Sequence, residues 1–413
     1  MNLYVIIDVF INANGIEGGK RMRKKKIWQS LVSAMLTVAM VSTAVIPAKA
    51  VENEKESIAT VKSPWVSEWK QGDATTTGEK YQIYPIPQQV QYTGGKQSFE
   101  ISKEVQTVYG KDVDESTKKH LEKVLKKYGR TEKKGKAEKK ESKIILGIYG
   151  KDDEADKWFE NKNLDAKHFE KHNAYVLYAK DGEIVILGKD SDAVFYGVST
   201  LEMMFSSFAG KKFYPVEIMD YASIDARGYI EGFYGNWTHE QRKSLMKFAP
   251  ETKMNLYVYA AKTDTYHTDK WDQLYPTEQI NQFKELADLQ AETKAEFSWS
   301  VHLTNVLKGV TKEDATYKER KEKLKKKFDQ LYNIGVRRFC VLNDDFGSGS
   351  NEIVVKLIND LTEEYIKPKN CKPIIFCPQG YNESWARPAE LEAMKKFNKD
   401  VLIFWTGKDV NSP

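Results

Sequence analysis

The sequence predicts an α/β fold, in which a small α/β domain precedes a (β/α)8 TIM-type barrel that is truncated after about six strands. Three observations predict this arrangement. The chain has 413 residues, too many for one ordinary core. Beyond residue 226, apolar strand-like runs alternate with helical patterns, which is typical of βα units. Residues 81–221 mix strands and helices less regularly, which indicates a separate domain.

Residues 1–50 are predicted to contain a secretory signal peptide. Basic residues at 23–26 precede an apolar run at 27–47 that ends in Ala48-Lys49-Ala50. This order of basic, apolar and small residues is typical of an exported protein, and we expect cleavage after Ala50 and a secreted or cell-surface location. Met22 opens a more typical signal than Met1 and is the expected start. A membrane anchor is the alternative interpretation, and no membrane association is expected after cleavage.

Residues 51–80 are polar and aperiodic, which predicts a linker before ordered structure begins at Tyr81. The segment Thr131–Ser142, almost entirely Lys, Glu and Gly, is predicted to be a solvated loop. The small domain is predicted to contain, in chain order, strand Gln82–Tyr92, helix Ser116–Tyr128, strands Lys143–Tyr149, Ala174–Ala179 and Glu183–Gly188, and helix Asp192–Phe205.

Residues 222–413 are predicted to form the barrel domain. Such a barrel typically needs about 250 residues, so we expect this one to be incomplete at its C-terminal end. The predicted strands are Arg227–Tyr234, Asn255–Ala261, Ala295–His302, Arg337–Asn343, Pro373–Cys377 and Val401–Trp405. The predicted helices are His239–Phe248, Thr277–Thr293, Tyr317–Ile334, Asn351–Ile366 and Arg387–Phe397.

Composition argues against several classes of function. The net charge of +5 comes largely from lysine runs near the N-terminus and at 133–140, while acidic residues are interspersed elsewhere, so no nucleic-acid partner is expected. Cys340, Cys371 and Cys377 each lie in or beside an apolar run. We interpret them as core thiols rather than a disulfide framework. No cofactor is expected.

Candidate site residues lie at the predicted strand ends, because the carboxyl ends of barrel strands build the active site. These ends are consistently polar or aromatic. They are Glu231 through Gly235, Lys262-Thr263-Asp264, His302, Asp344-Asp345, the segment before Tyr381, and Trp405.

Asp344 and Asp345 are the predicted catalytic pair. They follow the apolar run Phe339–Leu342, which delivers two carboxylates to the barrel mouth. Two neighbouring like charges cannot both ionise cheaply, so one acid and one base are expected. Strand geometry would point neighbours to opposite faces, so the strand must break here, and Gly347-Ser348-Gly349 makes that break plausible. A helix cap before Asn351 and a cation site with His302 are the alternatives.

Gly232, Lys262 and Tyr381 are candidate substrate-binding residues. Gly232 allows close approach of a ligand to the backbone, and Lys262 and the Tyr381 phenol can donate hydrogen bonds to a sugar. Trp405 or Tyr234 can stack against a pyranose ring. Taken singly, each has a simpler interpretation as turn chemistry, solvation or packing.

Together these segments resemble the family 84 glycoside hydrolases, which include bacterial β-N-acetylglucosaminidases, some hyaluronidases and the O-GlcNAc-removing enzymes of animals. The resemblance begins near Tyr81 and runs to the end of the chain. It is carried by Arg227 through Gly235, Tyr259 through Asp264, Asp344-Asp345, Cys377 through Tyr381 and Trp405-Thr406-Gly407. Tyr84 through Pro87 and Ala193 through Gly197 resemble the small domain that precedes the barrel in that family.

The resemblance implies a retaining β-N-acetylglucosaminidase in which the substrate's acetamido oxygen is the nucleophile and forms an oxazoline. It implies that Asp344 orients the acetamido group and that Asp345 protonates the leaving oxygen. Gly232 and Lys262 would meet the sugar hydroxyls, and Tyr381 would bond the acetamido carbonyl. The implied partners are glycans or glycoproteins that contain N-acetylglucosamine.

Two departures from the family pattern stand out. Ala261 and Thr263 replace a proline and a second aspartate of the lysine strand, and the family's remaining sugar-binding Asn and Asp residues would lie beyond Pro413. An inactive or non-catalytic glycan-binding homologue is therefore the alternative function. A second hexosaminidase family shares the small domain and the acetamido chemistry, but it uses an Asp-Glu pair.

Overall fold

The computed structural model describes residues 3–4, 81–93, 97–133, 141–162, 164–232, 235–345 and 348–410. The predicted linker, Tyr234 and nearly all of the predicted signal peptide lie outside these ranges. The described residues form two sheets of seven strands each, with helices packed against them. Among the described residues, no helix is long and apolar enough to cross a membrane.

The small domain is a mixed sheet with strand order β2-β8-β6-β7-β5-β3-β4. Its strands are β2 Gln89–Tyr92, β3 Glu104–Tyr109, β4 Thr131–Lys133, β5 Ser142–Ile148, β6 His172–Lys180, β7 Glu183–Gly188 and β8 Val216–Ala222. Its helices are α1 Glu115–Lys127, α2 Glu154–Phe159 and α3 Ser191–Ser207.

Three features of the small domain differ from the sequence predictions. Strand β2 occupies only the last residues of the predicted strand Gln82–Tyr92, and β3 and β8 were not predicted. The interpretation of Thr131–Ser142 as a loop is wrong at both ends, because Thr131–Lys133 pairs with β3 and Ser142 begins β5. Hydrogen bonding along β3 therefore overrides a composition that favours solvation, and residues 134–140 lie outside the described ranges.

The second sheet is a curled, parallel half-barrel, as the sequence predicts. The strands are β9 Gly228–Glu231, β10 Leu256–Tyr259, β11 Glu296–His302, β12 Arg338–Leu342, β13 Ile375–Cys377 and β14 Leu402–Phe404. They follow one another in chain order across the sheet, and the short segment β1, Leu3–Tyr4, pairs in parallel with β14. The helices are α4 His239–Phe248, α5 Thr277–Thr293, α6 Leu303–Val306, α7 Ala315–Tyr332, α8 Asn351–Leu361 and α9 Pro388–Met394.

Local sequence explains where several helices begin. Thr238 and Gln241 form a capping box at the start of α4, in which the Thr238 side chain accepts from the Gln241 N–H and the Gln241 side chain accepts from the Thr238 N–H. Asp314 caps α7 by accepting from the Tyr317 N–H at 3.0 Å. These caps fix the ends of helices whose apolar faces cover the barrel sheet.

The two faces of the barrel strands pack into different cores. Outward-facing residues such as Tyr257, Phe297 and Phe339 join the large core beneath the helices. The inward-facing residues form a smaller core inside the half-barrel, which includes Val258, Ala260, Cys340, Leu342, Ile375, Cys377, Leu402 and Phe404. Because successive strand residues alternate between faces, this smaller core defines which residues face the barrel interior.

Ionic and hydrogen-bonded contacts join the two domains. The Lys253 ammonium is buried and donates to Asp220 at 2.8 Å and to the Tyr175 hydroxyl at 3.0 Å, both in the small domain. Lys294, at the end of α5, contacts Asp114 and Asp192. The small domain is therefore anchored to the barrel beside the amino ends of β10 and β11, away from the mouth.

All three cysteines are free thiols. Cys340 and Cys377 are buried, as the core interpretation predicts, and burial raises the pKa of the Cys340 thiol to about 12. Cys371 is only half-buried because it lies after the last turn that follows α8. It still packs against the large core, at its edge rather than in its interior.

Candidate active site at the barrel mouth

The inner face of the half-barrel continues into the predicted site. Ile230, Ala260 and Leu342 belong to, or pack against, the inner core, and the residues two positions further along are site candidates. His302 ends β11 and pairs in register with Leu342. Strand alternation thus brings four candidates toward one rim of the half-barrel, namely Gly232, Lys262, His302 and Asp344.

The break required between the two aspartates is present. β12 ends at Leu342, and Asp344 and Asp345 lie in a turn in which Asp345 adopts a left-handed φ of 47°. Aspartate tolerates this conformation better than most residues, although it still costs free energy. The turn cancels the alternation of the strand, so the neighbouring carboxylates need not lie on opposite faces. Their exposures differ, because Asp344 is largely buried and Asp345 is exposed.

Asp344 lies between two cationic or hydrogen-bonding side chains. Its Oδ2 is 3.7 Å from the Lys262 Nζ, and its Oδ1 is 3.4 Å from the His302 Nε2. Burial alone would raise the pKa of this carboxyl, but His302 and the positive charge of Lys262 outweigh it and hold the pKa below its usual range. Asp344 is therefore an anion at neutral pH.

Both contacts to the Asp344 carboxylate are longer than an ordinary charge-assisted hydrogen bond of about 2.7–2.9 Å. The Oδ1 atom is buried and has no hydrogen-bond partner that meets strict geometry among the described residues. The shorter contact of His302 goes to the main-chain oxygen of Asp344, at 3.1 Å. The hydrogen-bonding capacity of the carboxylate is consequently not saturated within the described residues.

Asp345 borders an open cavity of about 240 Å³. The other lining residues come from the loop after β13 and the start of α9, and they are Gln379, Gly380, Trp385, Arg387 and Glu390. Glu390 accepts from the Gly380 N–H at 3.0 Å, which ties the loop to α9. The exposed carboxyl of Asp345 therefore faces space that a ligand group can enter.

Tyr381 lies in the same loop and is partly buried against the inner core. Its ring packs edge-on against Trp385, with ring centroids 5.2 Å apart, and its main-chain oxygen accepts from the Thr406 N–H at 3.0 Å. The structure thus links the tyrosine segment to the segment after β14. Trp405 is half-buried there.

Among the described residues, Gly232 has no steric need to be glycine. A Cβ atom added to it would meet only the Ile230 side chain in that part of the chain, at 3.9 Å, and its φ is not left-handed. Gly228, in contrast, is required by the sheet, because a Cβ there would lie 1.8 Å from the Leu256 carbonyl oxygen. The role of Gly232 in close approach of a ligand stays a prediction.

Two polar strand-end residues do not contribute to the mouth. Glu231 is fully buried beneath the helices, where Arg242 binds it through two nitrogens at 2.9 and 2.7 Å and the Tyr257 hydroxyl also donates to it. Asp264 is buried too and accepts from the hydroxyls of Tyr259 and Tyr275. Both carboxylates are already satisfied within the fold.

The aspartate pair had two alternative interpretations, a helix cap and a cation site. Helix α8 is capped by Ser350, which accepts from the Ile353 N–H, so neither aspartate is its cap, although both do lie in a turn. Within the described part of the chain, no group of three or more His, Cys, Asp or Glu side chains is placed to hold a metal ion. The Lys262 ammonium instead supplies the positive charge beside Asp344.

Sequence reasoning missed the supporting residues of the site. Thr304 bonds the other ring nitrogen of His302, and Ser348 donates to the Thr304 main-chain oxygen at 2.7 Å. The one signal for them in the sequence is that each is a small hydroxyl residue within a few positions of a strand end. That signal is too common to identify them without coordinates.

Comparison with known protein families agrees with these observations. Residues 227–413 match the β-N-acetylglucosaminidase family, and residues 80–221 match the second domain of glycosyl hydrolase family 20. Protein O-GlcNAcase of Rattus norvegicus is 28% identical over 205 residues, which cover 45% of this chain and 21% of that protein. Protein O-GlcNAcase of Mus musculus matches with the same identity and coverage.

Solved structures match a larger part of the chain. The structure of CpGH84D is 34% identical and has a TM-score of 0.71. The match covers 81% of this chain and 56% of the CpGH84D chain. The structure of CpGH84B is 29% identical, has a TM-score of 0.69 and covers 81% of this chain and 57% of its own. The chain thus spans about a fifth of the curated relatives' length and just over half of these solved structures.

Proposed function

We propose that this chain is an O-GlcNAcase-like protein of glycoside hydrolase family 84. We propose further that it is part of a retaining β-N-acetylglucosaminidase. It would remove terminal β-linked N-acetylglucosamine from glycans or glycoproteins. One observation carries the proposal, which is the unequal setting of two adjacent aspartates. Asp344 is a buried anion with acceptor capacity to spare, and Asp345 is exposed beside an open cavity.

In the proposed mechanism, Asp344 accepts a hydrogen bond from the substrate's acetamido N–H. This contact raises the nucleophilicity of the acetamido oxygen, which attacks the anomeric carbon as the bond to the leaving oxygen breaks. Asp345 donates its proton to that oxygen. The product of this step is an oxazoline, and Asp344 stabilises the positive charge that develops on it.

In the second step, Asp345 acts as a base instead of an acid. Asp345, now a carboxylate, takes a proton from water, and the hydroxide equivalent attacks the anomeric carbon from the face that the leaving group vacated. The oxazoline ring opens, the acetamido group is restored, and the anomeric configuration is retained. No covalent bond to the protein forms at any stage.

The remaining candidates are proposed to hold the sugar. Lys262 lies at the mouth with its ammonium 3.7 Å from Asp344, where it can donate to a hydroxyl while keeping Asp344 ionised. Gly232 offers backbone without a side chain to obstruct the ring. Tyr381 is proposed to donate from its phenol to the acetamido carbonyl.

Hydrolysis of 4-nitrophenyl β-N-acetylglucosaminide by the full-length protein tests the proposal. Turnover with retention of configuration supports it. Binding of N-acetylglucosamine without turnover would favour a non-catalytic glycan-binding protein instead.

The role of Asp345 is tested by its leaving-group dependence. Asp345→Asn should abolish cleavage of substrates with poor leaving groups and spare much of the activity on activated aryl glycosides, because a good leaving group needs little protonation. Equal losses on both kinds of substrate would show that Asp345 is not the proton donor.

The acetamido mechanism is tested with a thiazoline analogue of the oxazoline. Strong inhibition is expected, because the site should complement the cyclised group. Asp344→Ala should lose most of that inhibition. A covalent sugar trapped on any carboxylate would contradict this mechanism.

The enzyme is also proposed to act outside the cell, on the strength of the signal-like sequence at 23–50. N-terminal sequencing of protein recovered from culture medium tests this. A mature N-terminus directly after Ala50 is expected, and protein that stays in the cytosol with an intact N-terminus would refute it.

A further inference from the structure

His302 makes an unusual pair of contacts at the end of β11. Its ring is buried, and its Nε2 lies 3.1 Å from the main-chain oxygen of Asp344 and 3.4 Å from the Oδ1 of the same residue. That main-chain oxygen belongs to the peptide group that joins Asp344 to Asp345. A hydrogen bond to it therefore restrains the ψ angle of Asp344 and the φ angle of Asp345, and through them the relative position of the two carboxylates.

The proton on the His302 ring has only one possible place while the ring is neutral. The main-chain N–H of Thr304 points at Nδ1 from 3.2 Å, and the Thr304 hydroxyl lies 2.6 Å from the same atom. A main-chain N–H can only donate, so Nδ1 must be the acceptor. Nε2 therefore carries the hydrogen and donates it toward Asp344.

The partner of His302 is itself held in place. The Ser348 hydroxyl donates to the Thr304 main-chain oxygen at 2.7 Å, and the Ser348 N–H donates to the Asn343 Oδ1 at 3.0 Å. The loops after β11 and β12 are thus tied together on either side of the aspartate turn. Such a closed set of hydrogen bonds holds a side chain to within a fraction of an ångström, which a two-carboxylate mechanism requires.

We propose that His302, fixed in one tautomer by Thr304, is a positioning residue that sets the geometry of the Asp344-Asp345 turn for catalysis. It touches neither the sugar nor the leaving group in this role. The left-handed φ of Asp345 costs free energy, and the hydrogen bond from His302 to the adjoining peptide group helps to hold it. The inference rests on the proposed hydrolase function and assigns to His302 a part in it.

A double-mutant cycle in the full-length enzyme tests this role. His302→Phe should lower kcat by roughly 10–100-fold, with KM changed much less, because ordering of the acetamido group is lost while the sugar contacts remain. The same change in an Asp344→Asn background should cost much less, because the orienting carboxylate is already disabled and only the placement of Asp345 is left to lose. A purely structural role would lower kcat by the same factor in both backgrounds.

Conservative variants supply the second readout. His302→Gln keeps an N–H donor near the position of Nε2 and should recover most of the lost kcat. Thr304→Ser keeps the hydroxyl and should be nearly as active as the parent, whereas Thr304→Val should lose part of the kcat that His302→Phe loses. If His302→Phe fails to fold, the comparison of Thr304→Val with Thr304→Ser carries the test.

His168 is a matched control. It is also buried, and its Nε2 also bonds a main-chain oxygen, that of Tyr175 at 3.0 Å, but it lies in the small domain. His168→Phe should lower thermal stability without lowering kcat in the remaining folded protein. An active parent enzyme whose losses from His302→Phe and Asp344→Asn simply multiply would overturn the positioning role alone. A parent that does not hydrolyse the substrate would overturn the proposed function as well.

Discussion

Two carboxyl groups with little exposure to water, one at the mouth of the half-barrel and one on a strand of the small domain, have opposite electrostatic settings. Asp344 lies at the barrel mouth beside Lys262 and His302, which hold its pKa below the usual range despite burial. Glu217 lies on β8 of the small domain, and neither of its side-chain oxygens has a hydrogen-bond partner among the described residues. Burial raises the pKa of Glu217 to about 9.

Burial alone does not determine the charge of a carboxyl group in this protein. Loss of hydration disfavours the anion at both sites, and only the neighbouring groups decide whether the penalty is offset. At the mouth, a cation and an N–H donor offset it and leave a poised anion. In the small domain the remote positive charge of Lys162 is too weak, so Glu217 is neutral at physiological pH.

Substitution of Asp344 is expected to have the largest effect on activity, whereas substitution of Glu217 is expected to have almost none. Asp344→Asn should reduce kcat/KM by about 10³-fold, or about 4 kcal/mol, because the acetamido N–H loses its anionic partner. Glu217→Gln should leave kcat/KM within about twofold, since it lies in the other domain. Steady-state kinetics of both variants measure the difference, and equal losses would show that the charge of Asp344 has no special role.

Glu231 is a third carboxyl group, and it differs from the other two. It is fully buried and paired with Arg242. Arg242→Met removes all three hydrogen bonds from its guanidinium and leaves the carboxyl without its cation. We expect a loss of about 3 kcal/mol in the free energy of unfolding, typical of breaking a buried ion pair. Denaturant unfolding measures it. The control Arg242→Lys should lose less, and an Arg242→Met variant as stable as the parent would show that the pair contributes little.

The next effect concerns Glu217 itself and depends on pH. A carboxyl whose pKa is raised by folding takes up a proton when the chain folds, so stability falls as pH rises from about 4.5 toward 9. Glu217→Gln does not titrate. The variant should therefore gain stability relative to the parent between pH 5 and pH 8, by roughly 3–4 kcal/mol.

Unfolding curves at the two pH values check this expectation. The quantity to compare is the change in the difference between variant and parent, because Gln and protonated Glu both bury a donor. A difference that stays constant from pH 5 to pH 8 would show that Glu217 is ionised in the folded protein.

Buried carboxyls also explain where sequence reasoning failed. β8 reads Val216 to Ala222 with Glu217 and Asp220 inside it, and both are buried, so hydropathy treats a core strand as a polar segment. The missed strand follows from that. Helices α4 and α5 were predicted to the residue, in contrast, because their apolar periodicity and flanking Thr238 and Pro276 act locally.

The candidate site, like the fold, could be predicted only in part. Strand ends followed by polar residues located Lys262 and Asp344, which the structure brings together, and the family resemblance is confirmed by the family matches and structural neighbours. The orientation of Glu231 toward Arg242 and the left-handed turn at Asp345, beside its contact with His302, depend on tertiary contacts rather than on strand periodicity. No local pattern encodes such contacts, and the roles assigned to Gly232 and Tyr381 remain predictions.

The smallest expected effect tests what keeps Asp344 ionised. Because Asp344 acts as an anion, activity should be lost as pH falls through its pKa, and this loss forms the acidic limb of the kcat/KM profile. Lys262 is one of the groups that lower that pKa. Lys262→Met should therefore raise the pKa of Asp344 and move the acidic limb to higher pH. The shift should be under about one unit, because the pair is 3.7 Å apart and partly exposed to water. Lys262→Arg keeps the charge and should leave the limb near its original position, even if weaker sugar binding lowers kcat/KM at every pH in both variants. An acidic limb that does not move in Lys262→Met would assign the ionised state of Asp344 to His302 and the turn, and would make Lys262 a sugar-binding residue alone.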